Sequence, residues 1–180
     1  MNKLIIGAII GGLLIFVWQF LSWSILNIHA PQQRYTPKQD TILAFLNEQF
    51  SEDGFYYMPG LPEGASGEEY QKAMEINAGK PWAQIYYHKS WNANMNMNML
   101  RGLIVNIVAV MLLIWILMKF KENNLTITLL SALSVGIISY LTTNYTTSIW
   151  FETPSMPDLI DAIAAWGLCG IWLGWWLNRN

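Results

Sequence analysis

Three methionines alternate with asparagines in Asn94-Met95-Asn96-Met97-Asn98-Met99, and His88 lies a few residues upstream. Thioether and imidazole ligands suit soft ions such as Cu(I) or Ag(I), and closely spaced methionines can converge on one ion. Conformation decides whether they do. An extended chain puts Met95, Met97 and Met99 on one side, whereas a helix keeps Met95 with Met99 and turns Met97 away. The plainer role is adaptable apolar cover at an interface. His29 and His88, 59 positions apart, fall short of the three or four spaced ligands that zinc requires. No resident cofactor is expected.

Carboxylates offer the second candidate chemistry. Glu152, Asp158 and Asp161 gather at the start of the last apolar stretch, and Asp158 and Asp161 share a helical face. An acid inside a membrane span is costly and so a functional candidate by default, suited to proton or cation handling. Placed in a first helical turn, both aspartates would instead meet the positive end of the helix dipole, and that is the expected role. Gln19 and Asn106, lone polar groups in apolar runs, are expected to form interhelical hydrogen bonds. Catalysis finds little footing. No phosphate loop, nucleophile elbow or His-Glu-x-x-His helix occurs, and the serines of the apolar runs lack an activating His or Lys at helical spacing. The chain is not expected to be an enzyme.

The elements that position these groups are apolar. The 180 residues are 53% apolar and only 12% charged, well below the roughly 25% of soluble domains. A net charge of −2 gives no basic face for nucleic acid, and the single cysteine, Cys169, can form no internal disulfide. Four stretches are long enough to cross a hydrocarbon core that takes roughly 20 helical residues. They run over about 4–26, 102–120, 125–141 and 158–177, with tryptophans at the ends of the first and last. The fold class is therefore an all-α membrane protein, a four-transmembrane-helix bundle in contact with the lipid bilayer. Its domains are helix 1 (1–28), an extracytoplasmic insertion (29–101) and helices 2–4 (102–180). Basic residues on short segments (Lys3, Lys119, Lys121 and Arg179) favour both termini in the cytoplasm.

The insertion reads as a small α+β cap. Thr36-Pro37-Lys38-Gln39 and Ser66-Gly67-Glu68-Glu69 have the spacing of capped helix starts, the second helix running to about Asn77 before Gly79. GFYYM (54–58) and WAQIYYH (82–88) read as two strands of a ribbon. The polar, aromatic 142–158 segment reads as a loop on the same side as the cap. Gly7 with Gly11, and Gly170 with Gly174, form small-xxx-small pairs that predict close packing of spans one and four, or a homo-oligomer contact. Span three carries its own small-residue stripe of Thr128, Ala132, Gly136, Ser139 and Thr143.

In order along the chain, FVWQFLSWSILNIH, GFYYMPG, PWAQIYYHKS and LIDAIAAWGLCGIWLGWW resemble a family of small four-span proteins of bacterial inner membranes, most closely Bacteroidetes-like forms. No activity is assigned to that family. The resemblance implies an inner-membrane location and the same topology; it carries over no functional residue and does not extend to the methionine run.

Two functions follow as expectations. The first is a non-catalytic interaction or scaffolding module, its cap meeting a protein partner, a lipid or a second copy through Phe55, Tyr56, Tyr57, Tyr86, Tyr87 and Trp91. The alternative is a sensor or transport accessory that binds a small molecule or a Cu-type ion between helices and cap. A closed, dry bundle favours the first. A polar cavity open toward 142–158 favours the second.

Overall fold

The computed structural model describes residues 2–179. These form two compact units, one of residues 35–93 and one of the flanking segments up to 34 and from 94 onward. The smaller unit falls within the 29–101 segment read as the insertion.

The larger unit holds four helices long and apolar enough to cross a membrane, Lys3–Ile25, Met95–Leu117, Leu125–Phe151 and Met156–Asn178. They are built from α1 (Asn2–Phe20) with a π-turn at Leu21–Ile25, then α4 (Met95–Leu117), then α5 (Leu125–Ser139). A second π-turn at Tyr140–Tyr145 joins α5 to α6 (Thr146–Phe151), and α7 (Met156–Asn178) follows. Most of the segment read as the 142–158 loop is thus helical. Its threonines allow this by bonding back to the chain: Thr142 Oγ1 donates to the Ile138 carbonyl at 2.7 Å and Thr146 Oγ1 to the Leu141 carbonyl at 2.9 Å. Polar side chains that look like loop chemistry are here satisfied by their own helix.

Helix α1 lies against α4 and α7, and α7 lies against α5. Small residues set these distances. A Cβ on Gly12 would stand 2.7 Å from the backbone of Ile107, and one on Gly11 would stand 2.8 Å from Val110. Gly7 and Gly11 also face Leu173, Trp176 and Cys169 of α7, as the predicted contact of spans one and four requires. Gly170 and Gly174 do not share in it. They face α5, where Cβ atoms would meet Ala132 at 2.9 Å and Leu125 at 2.4 Å, so the second small pair packs spans three and four. The stripe on α5 answers them with Thr128, Ala132 and Gly136, all buried, but continues to Tyr140 rather than to exposed Ser139 and Thr143. Leu113, Ile114, Leu117, Cys169 and Leu173 fill the core between helices. Around it, Ile5, Ile9, Leu13 and Val17 on α1 and Val105, Val108, Leu112 and Trp115 on α4 point outward, apolar and exposed. A surface of that kind is at home in hydrocarbon.

The smaller unit contains α2 (Gln39–Gln49), β1 (Gly54–Met58), α3 (Gly67–Asn77) and β2 (Ala83–Tyr87). The strands pair antiparallel with Phe55 opposite Tyr86 and Tyr56 opposite Ile85. One ribbon face receives α2: Phe50 stacks on Tyr56 at 3.8 Å, and Tyr87 donates its hydroxyl to Asn47 at 2.7 Å. The other face carries Phe55, Tyr57 and Tyr86, all exposed. Helix α3 opens with the predicted capping box, Ser66 accepting from the Glu69 N–H while the Glu69 carboxylate accepts from the Ser66 N–H at 2.7 Å. That N–H holds the Glu69 carboxyl below its ordinary range. Thr36 makes no such cap. Helix α2 opens at Gln39, two residues later than a Thr36 cap would place it, and Thr36 Oγ1 accepts only from the Lys38 N–H.

Candidate functional site

Asp161 is the centre of the only buried ionisable network among the described residues of the helical unit. It was expected in the first turn of its helix. Helix α7 begins at Met156, however, so Asp158 occupies the first turn and Asp161 lies one turn deeper, with its side chain 17% exposed. Capping does not account for it. Its Oδ1 accepts from Trp18 Nε1 at 3.0 Å and from Ser22 Oγ at 2.6 Å, and its Oδ2 faces His29 Nε2 at 2.9 Å.

Local backbone features bring these donors together. Trp18 lies near the end of α1 and Ser22 in the π-turn that continues it, which widens the helix just where Ser22 must reach across to α7. The chain then reverses at Asn27, whose φ of 51° is a left-handed conformation that asparagine tolerates better than most residues. His29 is delivered beneath the stacked ring of Trp23, centroids 3.8 Å apart and planes 8° from parallel. It is 3% exposed.

The proton positions follow from the partners. Gln32 Nε2 donates to the Pro154 carbonyl at 2.9 Å and to Asp158 Oδ2 at 2.7 Å, two acceptors that fix the orientation of the amide. Gln32 Oε1 therefore faces His29 Nδ1, at 2.6 Å, and Nδ1 must carry a proton. The Nε2–Oδ2 axis needs one proton as well, carried by either atom. Either way His29 and Asp161 together are neutral. Ser22, His29 and Asp161 are thus in contact, but not as a hydrolytic triad. The serine bonds the carboxylate rather than the imidazole, so no base activates it.

Beside this network lies a cavity of about 480 Å³ between the helix ends, walled by Gln19, Asn106, Ser139, Asn144, Asp158 and Asp161. Ile15, Trp23, Tyr140 and Trp166 supply its apolar and aromatic surface. Both π-turns border it, one through Trp23 and the other through Tyr140 and Asn144. Gln19 and Asn106 form the expected interhelical bond, Asn106 Nδ2 donating to Gln19 Oε1 at 2.7 Å. Glu152 stands apart from this arrangement, exposed at the left-handed end of α6 with a φ of 52°.

The methionine run lies elsewhere. Residues 95–99 form the first turns of α4 rather than the end of the insertion, with Asn94 capping the Met97 N–H at 3.1 Å. On that helix Met95 and Met99 share a face and Met97 does not, so the extended arrangement with three converging sulfurs is not adopted. His88 belongs to the smaller unit, 69% exposed and 3.5 Å from Asp53, whose carboxyl is held below its ordinary range chiefly by the Lys89 N–H. Among the described residues no three His, Cys, Asp or Glu side chains are grouped to hold a metal ion.

Sequence reasoning found Asp158, Asp161, Gln19 and Asn106, but it placed Trp18 only as an interfacial residue, weighed His29 only as a zinc ligand and gave Ser22 and Gln32 no role. The available signal was slight: polar atoms of Trp18 and Ser22 at helical spacing near the end of an apolar run. In comparisons with known proteins, no family, no curated protein and no solved structure matches this chain.

Proposed function

We propose that this chain is a multi-pass protein of a bacterial inner membrane that binds a small molecule at the cavity beside Asp161, as a sensor or transport accessory. The observation that carries the reading is the cavity itself, some 480 Å³ of polar-walled space among helices whose outer faces are apolar. Such volume is ordinary for ligand sites, which combine apolar walls with a few placed polar groups. Two π-turns at its rim add support, since these strained turns recur at functional sites. With both termini in the cytoplasm, as the short basic segments favour, the cavity opens on the extracytoplasmic side. Binding without catalysis fits a carboxylate whose two oxygens are already engaged.

Native mass spectrometry of protein extracted gently from its own membranes tests this. The expected spectrum shows the 20.6 kDa chain with a stoichiometric small-molecule adduct that is lost in Ala162→Leu, a variant that fills the cavity wall. A bare chain in both samples would remove the reading.

A second reading, the interaction module, rests on the exposed aromatics of the smaller unit. Trp91 is 93% and Tyr86 75% exposed, as a partner contact would require. Tyr56 and Tyr87 drop out of that surface, being turned under Phe50. A second protein in the same spectrum would favour this reading.

A further inference from the structure

We infer that the ligand of the cavity is a small organic ammonium ion, held at Asp158. The inference rests on the binding reading above and names its ligand class.

Charge accounting leads to it. The cavity wall contains no lysine or arginine. Its one histidine and Asp161 cancel, because a single proton on the Nε2–Oδ2 axis leaves the pair neutral whichever atom holds it. The wall therefore keeps one net negative charge, on Asp158. That carboxylate is half-buried, and Gln32 occupies its Oδ2. Its Oδ1 has no hydrogen-bond partner among the described residues and remains an open acceptor.

A second, independent group asks for a donor. Asn106 is only 8% exposed and lines the same cavity, yet its single hydrogen bond is the one from Nδ2 to Gln19. The amide oxygen of Asn106 is left without a protein partner among the described residues. That oxygen is not sealed off, and it offers a second acceptor to a donor inside the cavity.

Charge selects the ligand. An anion would meet Asp158 with no cation to offset it. A neutral molecule would strip water from the carboxylate and return no charge, which is the costly way to cover an ion. A cation offsets Asp158 and can donate to its open oxygen. The volume then separates an organic cation from a bare metal ion, which would fill only a small part of 480 Å³ and has no grouped ligand set here. Trp23, Tyr140 and Trp166 complete the match, since aromatic faces attract ammonium groups and also receive the hydrocarbon that carries them.

Three probes of one shape separate the possibilities: benzylammonium, benzyl alcohol and benzoate. Each is equilibrated by dialysis with the full chain in phosphatidylcholine nanodiscs, whose lipid carries no net charge, and binding to empty nanodiscs is subtracted. Benzylammonium is expected to bind about tenfold tighter than benzyl alcohol, with benzoate weakest, from one partly desolvated charge pair. Asp158→Asn keeps a carbonyl for Gln32 and should erase the difference between ammonium and alcohol. Asp158→Glu restores the charge and should restore the preference, which covers the case of an Asn variant that folds poorly. Equal binding of alcohol and ammonium, or a preference that survives Asp158→Asn, would overturn the ammonium assignment while leaving the cavity a binding site. Binding of none of the three would remove the binding site itself.

Discussion

At the scale of single residues, the His29–Asp161 contact shows how a buried charge is made tolerable. Two donors, Trp18 and Ser22, and one acceptor, Gln32, surround the pair, a proton is shared within it, and every polar atom of the pair is met. Removing the carboxylate should therefore cost more than one hydrogen bond. Asp161→Ala is expected to lower unfolding stability by about 2–3 kcal/mol, the range for bonds to a charged group plus the orphaned partners. Thermal unfolding in nanodiscs reads this, and His29→Ala combined with Asp161→Ala should cost less than the two singles summed. Glu69 gives a prediction with a definite pH sign. Its carboxyl is held low when folded, so its contribution is present above the ordinary value of 4.5 and is lost as pH falls through the lower folded value. Amide-exchange protection of α3, corrected for intrinsic rates, should fall across that window in the wild type and stay flat in Glu69→Gln. The Ser66–Glu69 box was legible in the sequence because its whole geometry fits within three positions. His29 and Asp161 stand 132 positions apart, and nothing local says which face of α7 turns toward the end of α1.

At the scale of elements, apolar length was readable and its interruptions were not. The apolar lengths followed from runs free of charge, and interhelical bonds at Gln19 and Asn106 followed because a lone polar group in such a run must find a partner, though that they partner each other did not. Thr142, Thr143 and Thr146 have the composition of a loop, which shortens the third span as read from sequence; their hydroxyls donate to carbonyls about one turn earlier and are satisfied within a helix. The glycine pairs were readable as close-packing residues, but the partner of each was not, since packing partners depend on helix order around the unit. Gly12 escaped notice altogether, although it is the tightest point between α1 and α4. Gly12→Ala is expected to destabilise by about 1–3 kcal/mol, because its Cβ would meet Ile107 backbone rather than a movable side chain. Gly67→Ala, where a Cβ meets nothing within 4 Å, is the matched control and should leave the melting temperature nearly unchanged.

At the scale of the whole molecule, the proposed orientation can be read directly. Cys169 is fully buried in the core, so the native thiol gives little background in surface labelling. With the termini cytoplasmic, Lys89→Cys should react with an impermeant maleimide in cells whose inner membrane is intact, and Asn123→Cys should react only after that membrane is opened. The reverse pattern would invert the topology and move the cavity mouth to the cytoplasmic side.

The two π-turns carry a consequence for how such a site could arise. A π-turn is a helix that has taken in one residue too many and kept its hydrogen bonds by bulging. Here one bulge sits on each wall, at Leu21–Ile25 and at Tyr140–Tyr145. Hydropathy is indifferent to them. A chain shorter by one residue at each place would still read as four apolar helices, yet everything beyond each deletion would be turned by about 100° about its axis. His29 would be carried away from Asp161, and Asn144 from the opposite wall. The pocket, on this view, is a difference in length rather than in composition: two inserted residues, chemically unremarked, separate a closed bundle from one with room inside.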